Sequence, residues 1–360
     1  MRAAVVNTIG AGFDIQEIEV DQPRGKEVLV KVEAAGLCHS DHIVANVDRG
    51  RPLPMVVGHE MAGIVVGLGP DATDFQIGDH VIATEISFCG TCAECVNGAS
   101  YRCISPQTAL RGADDPARLS REGQRVEGFG VAGFAEYTVL HQNKLVEVPK
   151  EIPFAQAAVL GCATTTGVGA VLNAAKVAPG ETIAVVGLGG IGLNVIQGAR
   201  LAGAKTIIGI DLQPDKLELA KKFGATHVIN GAEQDVVAAV KEITSAGVHH
   251  SFEAIGLGAT QRQAIEVTRT GGHVHFIGLP QGKPLELNVM LDLLVHQRSL
   301  HGIYMGSSNV RKDIPYYADL YLQGRLNLDD LIAQKIPLEQ INEAYEKQET
   351  GAIARSVIRF

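Results

Sequence analysis

Residues 182–192 constrain the fold of this chain more than any other stretch. An apolar run there ends in Gly187, Gly189 and Gly192, in the spacing G-x-G-x-x-G. In such a turn the first glycine permits a tight bend, the second lets a dinucleotide pyrophosphate approach the backbone, and the third lets helix and strand pack closely. Free N–H groups at a helix N-terminus favour anions. The stretch therefore predicts a buried strand that turns into a nucleotide-binding helix.

The residues that follow make this motif specific. The chain has 41 glycines, so the pattern alone could also be a turn that binds nothing. However, a helix-length segment leads to a second apolar strand pattern, 206–211, which ends in Asp211, about 20 residues beyond Gly192. A carboxylate at this distance accepts hydrogen bonds from the adenosine ribose hydroxyls. Its charge would repel a 2′-phosphate, and Leu212 offers no cation, so we expect NAD rather than NADP.

Strand and helix patterns continue to alternate after Asp211. Together with the two strands above, the later strand patterns make six, the number in a doubly wound dinucleotide-binding sheet. These later patterns are 227–230, 248–254, 273–278 and 299–304. The N-terminal part has short β-rich runs that predict antiparallel sheet, and the polar, glycine-rich segment 104–133 predicts a long loop. The expected fold class is α/β, a doubly wound parallel dinucleotide-binding sheet plus a mainly antiparallel β catalytic domain.

Length and charge exclude several classes of protein. A chain of 360 residues is too long for one ordinary core and predicts about two domains. The net charge of −9 argues against a nucleic-acid partner. The apolar stretch 182–199 is glycine-rich, carries Asn194 and Gln197 and coincides with the nucleotide motif, so we expect no membrane span. The N-terminus lacks the pattern of a signal peptide, and the expected location is cytoplasmic.

Four of the six cysteines form a compact cluster. Cys89, Cys92, Cys95 and Cys103 have the spacing C-x2-C-x2-C-x7-C. Four thiolates so close together form a closed tetrahedral zinc site that holds a loop but leaves no place for substrate. The alternative, four thiols without a metal in one exposed loop, would be prone to oxidation. The cluster therefore predicts a structural zinc site.

The other two cysteines suggest a second metal site. Cys38 and His59 offer a thiolate and an imidazole, and Cys162 could be a third ligand. A catalytic zinc site needs three protein ligands and an open fourth position. Taken singly, each residue has a simpler interpretation, because a buried cysteine often acts only as a small apolar side chain.

These features occur together in one order, with 354–360 as the C-terminal segment, and the chain resembles the zinc-dependent alcohol dehydrogenases of the medium-chain dehydrogenase/reductase family over essentially its full length. The resemblance implies a catalytic domain of residues 1–163 and 304–360, interrupted by an NAD-binding Rossmann domain, 164–303. It also implies two Zn²⁺ per subunit, one catalytic and one structural, and a homodimer or homotetramer.

The resemblance further implies roles for individual residues. The catalytic zinc would bind Cys38, His59 and Cys162, with Glu60 beside the metal, Asp41 next to His59, and Ser40 hydrogen-bonded to the substrate alcohol. The implied cofactor contacts are His39 at the pyrophosphate, Thr166 near the nicotinamide, Asp211 and Lys216 at the adenosine ribose, and Arg355 at the phosphates. Two positions depart from the family: Ile43 stands where many members have a histidine that ends a proton relay, and Glu85 where relatives often have an apolar or aromatic pocket residue.

The implied reaction is the reversible oxidation of an alcohol to an aldehyde or ketone, with hydride transfer to NAD. Zinc would act as a Lewis acid on the substrate oxygen, and Ser40 would take the proton. Two alternatives stay open. One is a nicotinoprotein with tightly bound NAD that a second substrate recycles, and the other is a non-catalytic protein that binds zinc and nucleotide.

Overall fold

The computed structural model describes residues 1–112, 114–349 and 355–360. The contacts divide the chain into two compact units. Unit 1 comprises Met1–Cys162 and Asn309–Phe360, and unit 2 comprises Ala163–Ser308. Ala354, in the C-terminal segment that carries part of the resemblance, lies outside the described residues. The assignment of a catalytic and an NAD-binding function to the two predicted domains stays a prediction.

The described residues form the following regular elements. The strands are β1 (Arg2–Val6), β2 (Asp14–Glu17), β3 (Glu19–Val20), β4 (Glu27–Gly36), β5 (Met55–Val56), β6 (Glu60–Leu68), β7 (His80–Ala83), β8 (Leu119–Arg121), β9 (Gln124–Gly128), β10 (Tyr137–His141), β11 (Leu145–Glu147), β12 (Thr182–Val186), β13 (Thr206–Asp211), β14 (His227–Asn230), β15 (Val248–Glu253), β16 (Thr268–Phe276), β17 (Ser299–Gly302), β18 (Gln334–Ile336) and β19 (Ser356–Arg359). The helices are α1 (His39–Asn46), α2 (Ala93–Val96), α3 (Phe154–Val159), α4 (Thr165–Gly169), α5 (Gly190–Ala202), α6 (Pro214–Phe223), α7 (Val236–Thr244), α8 (Gly258–Val267), α9 (Val310–Leu322) and α10 (Ile341–Glu349).

Unit 1 is built on two mainly antiparallel sheets. One has the order β2-β1-β5-β9-β8-β3, and the other has the order β11-β7-β6-β4-β19-β18, with β10 also paired to β4. Strand β4 is central because Val28, Val30 and Val32 alternate into the core. Strand β19 pairs antiparallel with β4, so that Ile358 lies opposite Ala35. The C-terminal segment therefore folds back onto the N-terminal region, as expected from the sequence.

The prediction of a long loop at 104–133 is wrong in part. Strands β8 and β9 form an antiparallel pair joined by Glu122 and Gly123, which both have positive φ, and β9 also pairs parallel with β5. The sequence concealed these strands because most of their side chains are polar. Only Leu119 and Val126 of the two strands are buried, which is too little for a recognisable alternation of apolar and polar residues.

Unit 2 contains one six-stranded parallel sheet with the order β14-β13-β12-β15-β16-β17. The number of strands and the parallel arrangement confirm the prediction. The order reverses between β12 and β15, where Val186 lies opposite Glu253. Ligands of open parallel sheets bind outside the carboxyl ends of the strands at such a switch point. The motif glycines follow β12 and therefore lie at this edge of the sheet.

One segment among the described residues, Phe154–Ala175, is long and apolar enough to cross a membrane by length and composition alone. It is not the stretch 182–199 considered from the sequence. Because 94% of its apolar window is buried within the protein, it resembles a core helix, which passes the same test.

Candidate active site

Four buried metal-binding side chains come together in unit 1. They are Cys38, His59, Glu60 and Cys162, and one ligand atom from each lies within 4.8 Å of the others. Cys38 precedes α1, His59 and Glu60 stand at the start of β6, and Cys162 comes from much further along the chain. The structure thus places the three predicted ligands and Glu60 in one group.

Cys162 reaches this group from a π-helical turn, Leu160–Thr164, between α3 and α4. Such wide turns inside α-helices occur frequently at functional sites. Gly161 permits close packing, because a Cβ atom there would lie 2.5 Å from the carbonyl oxygen of Ala83. The glycine before Cys162 therefore lets this turn approach the end of β7.

The orientation of His59 is fixed by Asp41. His59 Nδ1 lies 2.9 Å from Asp41 Oδ1, which also accepts a hydrogen bond from the Gly58 backbone N–H at 3.0 Å. His59 Nε2 faces Cys162 Sγ at 3.2 Å. A carboxylate that accepts a hydrogen bond from Nδ1–H leaves Nε2 as the atom that can bind a metal, as in many carboxylate–histidine–zinc arrangements.

The electrostatics of the group indicate a site for a cation. A hydrogen bond between the two thiols, together with the charges of Arg355 and His59, holds the pKa of Cys38 well below its usual range. The same bond, with burial, raises the pKa of Cys162. Burial opposes charge on His59, but the neighbouring Asp41 and the two cysteines raise its pKa well above the ordinary value.

Two carboxylate oxygens in this region also lack partners. Among the described residues, Asp41 Oδ2 and Glu60 Oε2 are buried without a hydrogen bond. Leaving such atoms unpaired costs free energy. Two thiols, an oriented imidazole and an unpaired carboxylate oxygen are the donors that Zn²⁺ prefers, so the residues fit the metal that the sequence predicts.

Ser40 and His39 begin α1, next to Cys38. The half-buried Ser40 hydroxyl lies 3.1 Å from Cys38 Sγ and 3.4 Å from His59 Nε2. His39 is exposed, and its ring stacks on that of His42 with centroids 6.1 Å apart. Ile43 is buried, with 6% of its surface exposed. The predicted alcohol-binding hydroxyl therefore lies against two of the metal-binding atoms.

Arg355 is buried beside the metal group. Its guanidinium donates to Glu60 Oε1 at 2.9 Å and to the Leu37 carbonyl oxygen at 2.8 Å. Burial, only partly offset by the charge of Arg355, raises the pKa of Glu60 to about 7. In this structure the predicted phosphate-binding cation is thus engaged with Glu60.

A further residue of this site was missed from the sequence. Tyr345 of α10 is buried, its hydroxyl donates to the Cys38 carbonyl oxygen at 3.2 Å, and its ring packs on His42 with centroids 5.0 Å apart. The only available signal was an aromatic residue on the apolar face of a helical pattern, which is ordinarily core. Tyr345 is 307 residues from Cys38 along the chain, so its position in the sequence does not indicate the contact.

The other four cysteines also converge. Their sulfur atoms are 3.5 Å apart for Cys92 and Cys95, 3.6 Å for Cys89 and Cys103, and 3.9 Å for two further pairs. These separations match a tetrahedron of thiolates around one ion, since each Zn–S bond is about 2.3 Å long. The cluster fits the closed structural zinc site predicted from its spacing.

The motif glycines of unit 2 have the geometry that the spacing requires. Gly187 has φ of +95°, and a Cβ on Gly192 would lie 1.9 Å from the Gly187 carbonyl oxygen. A Cβ on Gly189 would meet nothing within 4 Å, so this is the open side of the turn. Asp211 Oδ2 accepts a hydrogen bond from the Leu188 backbone N–H at 2.8 Å, which brings its carboxylate to the glycine turn.

The remaining predicted cofactor residues of unit 2 lie in two helices. Thr166 belongs to α4, is buried, and its hydroxyl lies 3.7 Å from Met305 Sδ. Lys216 lies in the first turn of α6, which begins at Pro214 shortly after Asp211. The structure thus brings Lys216 to the same end of the sheet as Asp211.

Known proteins match this chain along its whole length. Residues 24–150 match the alcohol dehydrogenase GroES-like domain, and residues 190–323 match the zinc-binding dehydrogenases. The chain is 39% identical to an S-(hydroxymethyl)glutathione dehydrogenase of Synechocystis, over 100% of this chain and 99% of that protein. It is 38% identical to an alcohol dehydrogenase class-3 of Drosophila melanogaster, over 100% and 97% of the two chains.

The chain belongs to the zinc-dependent alcohol dehydrogenases of the medium-chain dehydrogenase/reductase family.

Solved structures agree with this assignment. A benzyl alcohol dehydrogenase of Acinetobacter calcoaceticus has a TM-score of 0.93 and 36% identity, with 100% of this chain and 99% of that one covered. A zinc-binding alcohol dehydrogenase domain protein of Burkholderia ambifaria has a TM-score of 0.94 and 38% identity, with 100% and 98% covered. This alcohol dehydrogenase is therefore a zinc-dependent, NAD-linked oxidoreductase of small-molecule alcohols and aldehydes.

Proposed function

We propose that Cys38, His59 and Cys162 hold the catalytic zinc of this alcohol dehydrogenase, with Glu60 beside the metal and the fourth position open to substrate. The observation that carries this proposal is the convergence of these four buried side chains within 4.8 Å. Cys89, Cys92, Cys95 and Cys103 would hold the structural zinc. Zinc bound at the first site supplies a Lewis acid that lowers the pKa of an alcohol, and NAD supplies the hydride acceptor.

The residues around the metal group would orient the alcohol and move its proton. The Ser40 hydroxyl, beside both Cys38 Sγ and His59 Nε2, would accept the hydrogen bond of the substrate hydroxyl and relay its proton, releasing its own O–H proton to water as it takes that of the substrate. Asp41 holds the His59 ring in the orientation that leaves Nε2 for the metal. Burial of the group excludes water, so charges act there in a low dielectric.

For the cofactor we propose that residues 164–303 form the NAD-binding domain and that 1–163 with 304–360 form the catalytic domain. The glycine turn at Gly187, Gly189 and Gly192 would hold the pyrophosphate, and Asp211 with Lys216 would bind the adenosine ribose. His39 and Arg355 would meet the phosphates, and Thr166 would lie near the nicotinamide. Support for the turn comes from the open side of Gly189 and the position of Asp211.

Replacement of Cys162 by Ser tests the metal assignment. A serine hydroxyl is a poor zinc ligand at neutral pH, so we expect turnover to be lost and bound zinc to fall from two ions per chain to one. Binding of NAD, measured by calorimetry, should be retained. Cys92→Ser is the matched control, because it should remove the other ion. A Cys162→Ser protein with full activity and two zinc ions would refute the assignment.

We also infer that the enzyme is a homo-oligomer, most simply a homodimer. Several side chains of residues 287–295 are large, apolar and exposed, and exposed apolar patches of this kind mark interaction surfaces. They include Val289, Met290, Leu291, Leu294 and Val295, which are 55–69% exposed. The adjacent β17 is an edge strand of its sheet. Sedimentation of the wild type and of Met290→Lys/Leu294→Lys tests this, and a monomeric wild type would contradict it.

We further propose a cytoplasmic location. All six cysteines are free thiols in this structure, and two groups of them are arranged as metal ligands. A reducing compartment keeps such thiols available for zinc, whereas an oxidising one favours disulfides. Fractionation of the native cells, with zinc content measured on the recovered protein, tests this location.

A further inference from the structure

A buried lysine lies close to the metal group of unit 1 and has no part in the proposed reaction. Lys144 is 2% exposed, and its ammonium donates a hydrogen bond to the Gly130 carbonyl oxygen at 2.6 Å. Burial lowers the pKa of Lys144 to about 8, while the negative charge of Glu85 acts in the opposite direction. The negative charge of Glu85 therefore favours the protonated form of this buried lysine.

Glu85 lies beside both parts of the chain that supply metal ligands. A Cβ on Gly130 would be 3.6 Å from His59 Cβ and 3.9 Å from Glu85 Oε1, so that only a glycine separates Glu85 from His59. Two residues before Glu85, the Ala83 carbonyl oxygen packs against Gly161, the neighbour of Cys162. The Glu85 side chain is therefore next to the metal group.

The carboxylate of Glu85 is available to a ligand. The residue is half-buried, and within the described parts of the chain it forms neither a hydrogen bond nor an ion pair. Lys144 contributes a nearby positive charge, and its ammonium donates to the Gly130 carbonyl oxygen rather than to Glu85. A half-buried carboxylate with free lone pairs readily accepts hydrogen bonds from O–H or N–H groups, and such charge-assisted bonds are among the stronger ones.

We propose that Glu85 is a specificity-determining residue that accepts a hydrogen bond from a second donor group on the alcohol substrate. The enzyme then favours alcohols that carry another hydroxyl or an ammonium group over plain alkanols, and it disfavours alcohols that carry a carboxylate. This inference rests on the proposed function, since it assumes that the alcohol binds at the Cys38–His59–Cys162 group. Lys144 is a positioning residue, which holds Gly130 between Glu85 and His59.

Four alcohols of equal chain length test the proposal: butan-1-ol, butane-1,4-diol, 4-aminobutan-1-ol and 4-hydroxybutyrate. With the zinc-loaded enzyme and NAD, the wild type should have a higher kcat/KM for the diol and the amino alcohol than for butan-1-ol. Glu85→Gln keeps a hydrogen-bond acceptor but removes the charge, so it should lower the kcat/KM of the amino alcohol relative to butan-1-ol by about tenfold, the difference between a charged and a neutral acceptor. Comparison of the kcat/KM values of the diol and the amino alcohol shows whether Glu85 prefers a hydroxyl or an ammonium group as its hydrogen-bond donor.

The matched control is Glu151→Gln, which removes an exposed carboxylate outside the site and should leave all ratios unchanged. In Glu85→Gln the relative kcat/KM for 4-hydroxybutyrate should rise, because the repulsion between two carboxylates is removed. If the kcat/KM ratios of the other three alcohols to butan-1-ol are the same in Glu85→Gln and wild type, the specificity proposal is overturned while the alcohol dehydrogenase activity stands.

A binding measurement distinguishes the specificity proposal for Glu85 from the proposed reaction. Saturation-transfer NMR of the same four alcohols on the zinc-loaded protein without NAD measures preference without turnover. Binding of the diol and amino alcohol that depends on Glu85, with no oxidation of any of the four, would support the specificity proposal and count against the proposed reaction. If the four alcohols bind to Glu85→Gln with the same preference as to the wild type, the specificity proposal is overturned, whether or not the alcohols are oxidised.

Discussion

The histidines of the parallel sheet predict that unit 2 loses stability in acid. His275 of β16 is buried, and its ring stacks on Phe252, His250 and His301 with centroids 4.7, 5.3 and 5.2 Å away. Its Nε2 lies 3.0 Å from His250 Nδ1, and its Nδ1 has no hydrogen-bond partner among the described residues. Burial, with the neighbouring histidines His250, His301 and His273, lowers the pKa of His275 to about 2.

The sign and the size of the effect follow from this shift. The folded pKa is below the unfolded value of about 6.5, so between these values the unfolded chain binds a proton that the folded chain excludes. The contribution of His275 to stability is fully present above about pH 6.5 and is lost as the pH falls, by about 1.4 kcal/mol for each pH unit. Between about pH 6.5 and pH 4.5 the loss is about 2 kcal/mol, because the unfolded imidazole is already half protonated at the upper pH.

Amide hydrogen exchange of Val274 and Phe276 measures the opening free energy of β16 without involving the metal ligands of unit 1. His275→Phe keeps an aromatic ring but cannot be protonated. Its opening free energy should therefore fall less between these pH values than that of the wild type, by about 2 kcal/mol. The comparison uses the change with pH, so a constant cost of the substitution cancels. Equal pH dependence in the two proteins would refute the reasoning.

Three further predictions concern other parts of the chain. In Gly192→Ala the new methyl would meet the Gly187 carbonyl oxygen, so we expect NAD affinity by calorimetry to fall at least about tenfold, with the zinc content unchanged. Asp211→Ala should narrow the preference for NAD over NADP, since it removes both the ribose acceptor and the charge that repels a 2′-phosphate; an unchanged ratio of dissociation constants would contradict this. Arg111→Lys should loosen the segment around β8, because the guanidinium bridges Glu27 at 2.9 Å and the Pro116 carbonyl oxygen at 2.9 Å. The expected destabilisation is about 2 kcal/mol, seen as faster proteolysis of the segment, and unaltered cleavage would exclude this role.

The features that could be predicted from sequence are those in which the chemistry prescribes a local spacing. The three glycines of the dinucleotide turn must follow one another at intervals of two and three residues, and the four clustered cysteines must lie near each other to surround one ion. The alternation of strand and helix in unit 2 likewise leaves a periodic pattern, and the structure has the six parallel strands that the pattern predicts.

Features formed by distant residues could not be predicted in the same way. The Tyr345 hydroxyl donates to the backbone carbonyl oxygen of Cys38. Every residue offers such a carbonyl oxygen, so the sequence contains no sign of this contact. Strands β8 and β9 bury only Leu119 and Val126, so their polar sequence resembles a loop. The π-helical turn that presents Cys162 has no residue pattern of its own. In each case the structure is decided by tertiary packing rather than by local preference.

Charge explains why the buried group of unit 1 fits a divalent cation. Cys38, Cys162, Glu60 and Asp41 are four acidic groups, and Arg355 is a buried permanent cation that contacts Glu60. The pKa of Glu60 is raised to about 7 and the pKa of Cys162 lies well above its usual value, so protons balance part of the negative charge. A divalent ion would take over this role and release protons on binding. The same excess of acidic groups would be strongly destabilising in a site built only to pack, because buried charges need partners.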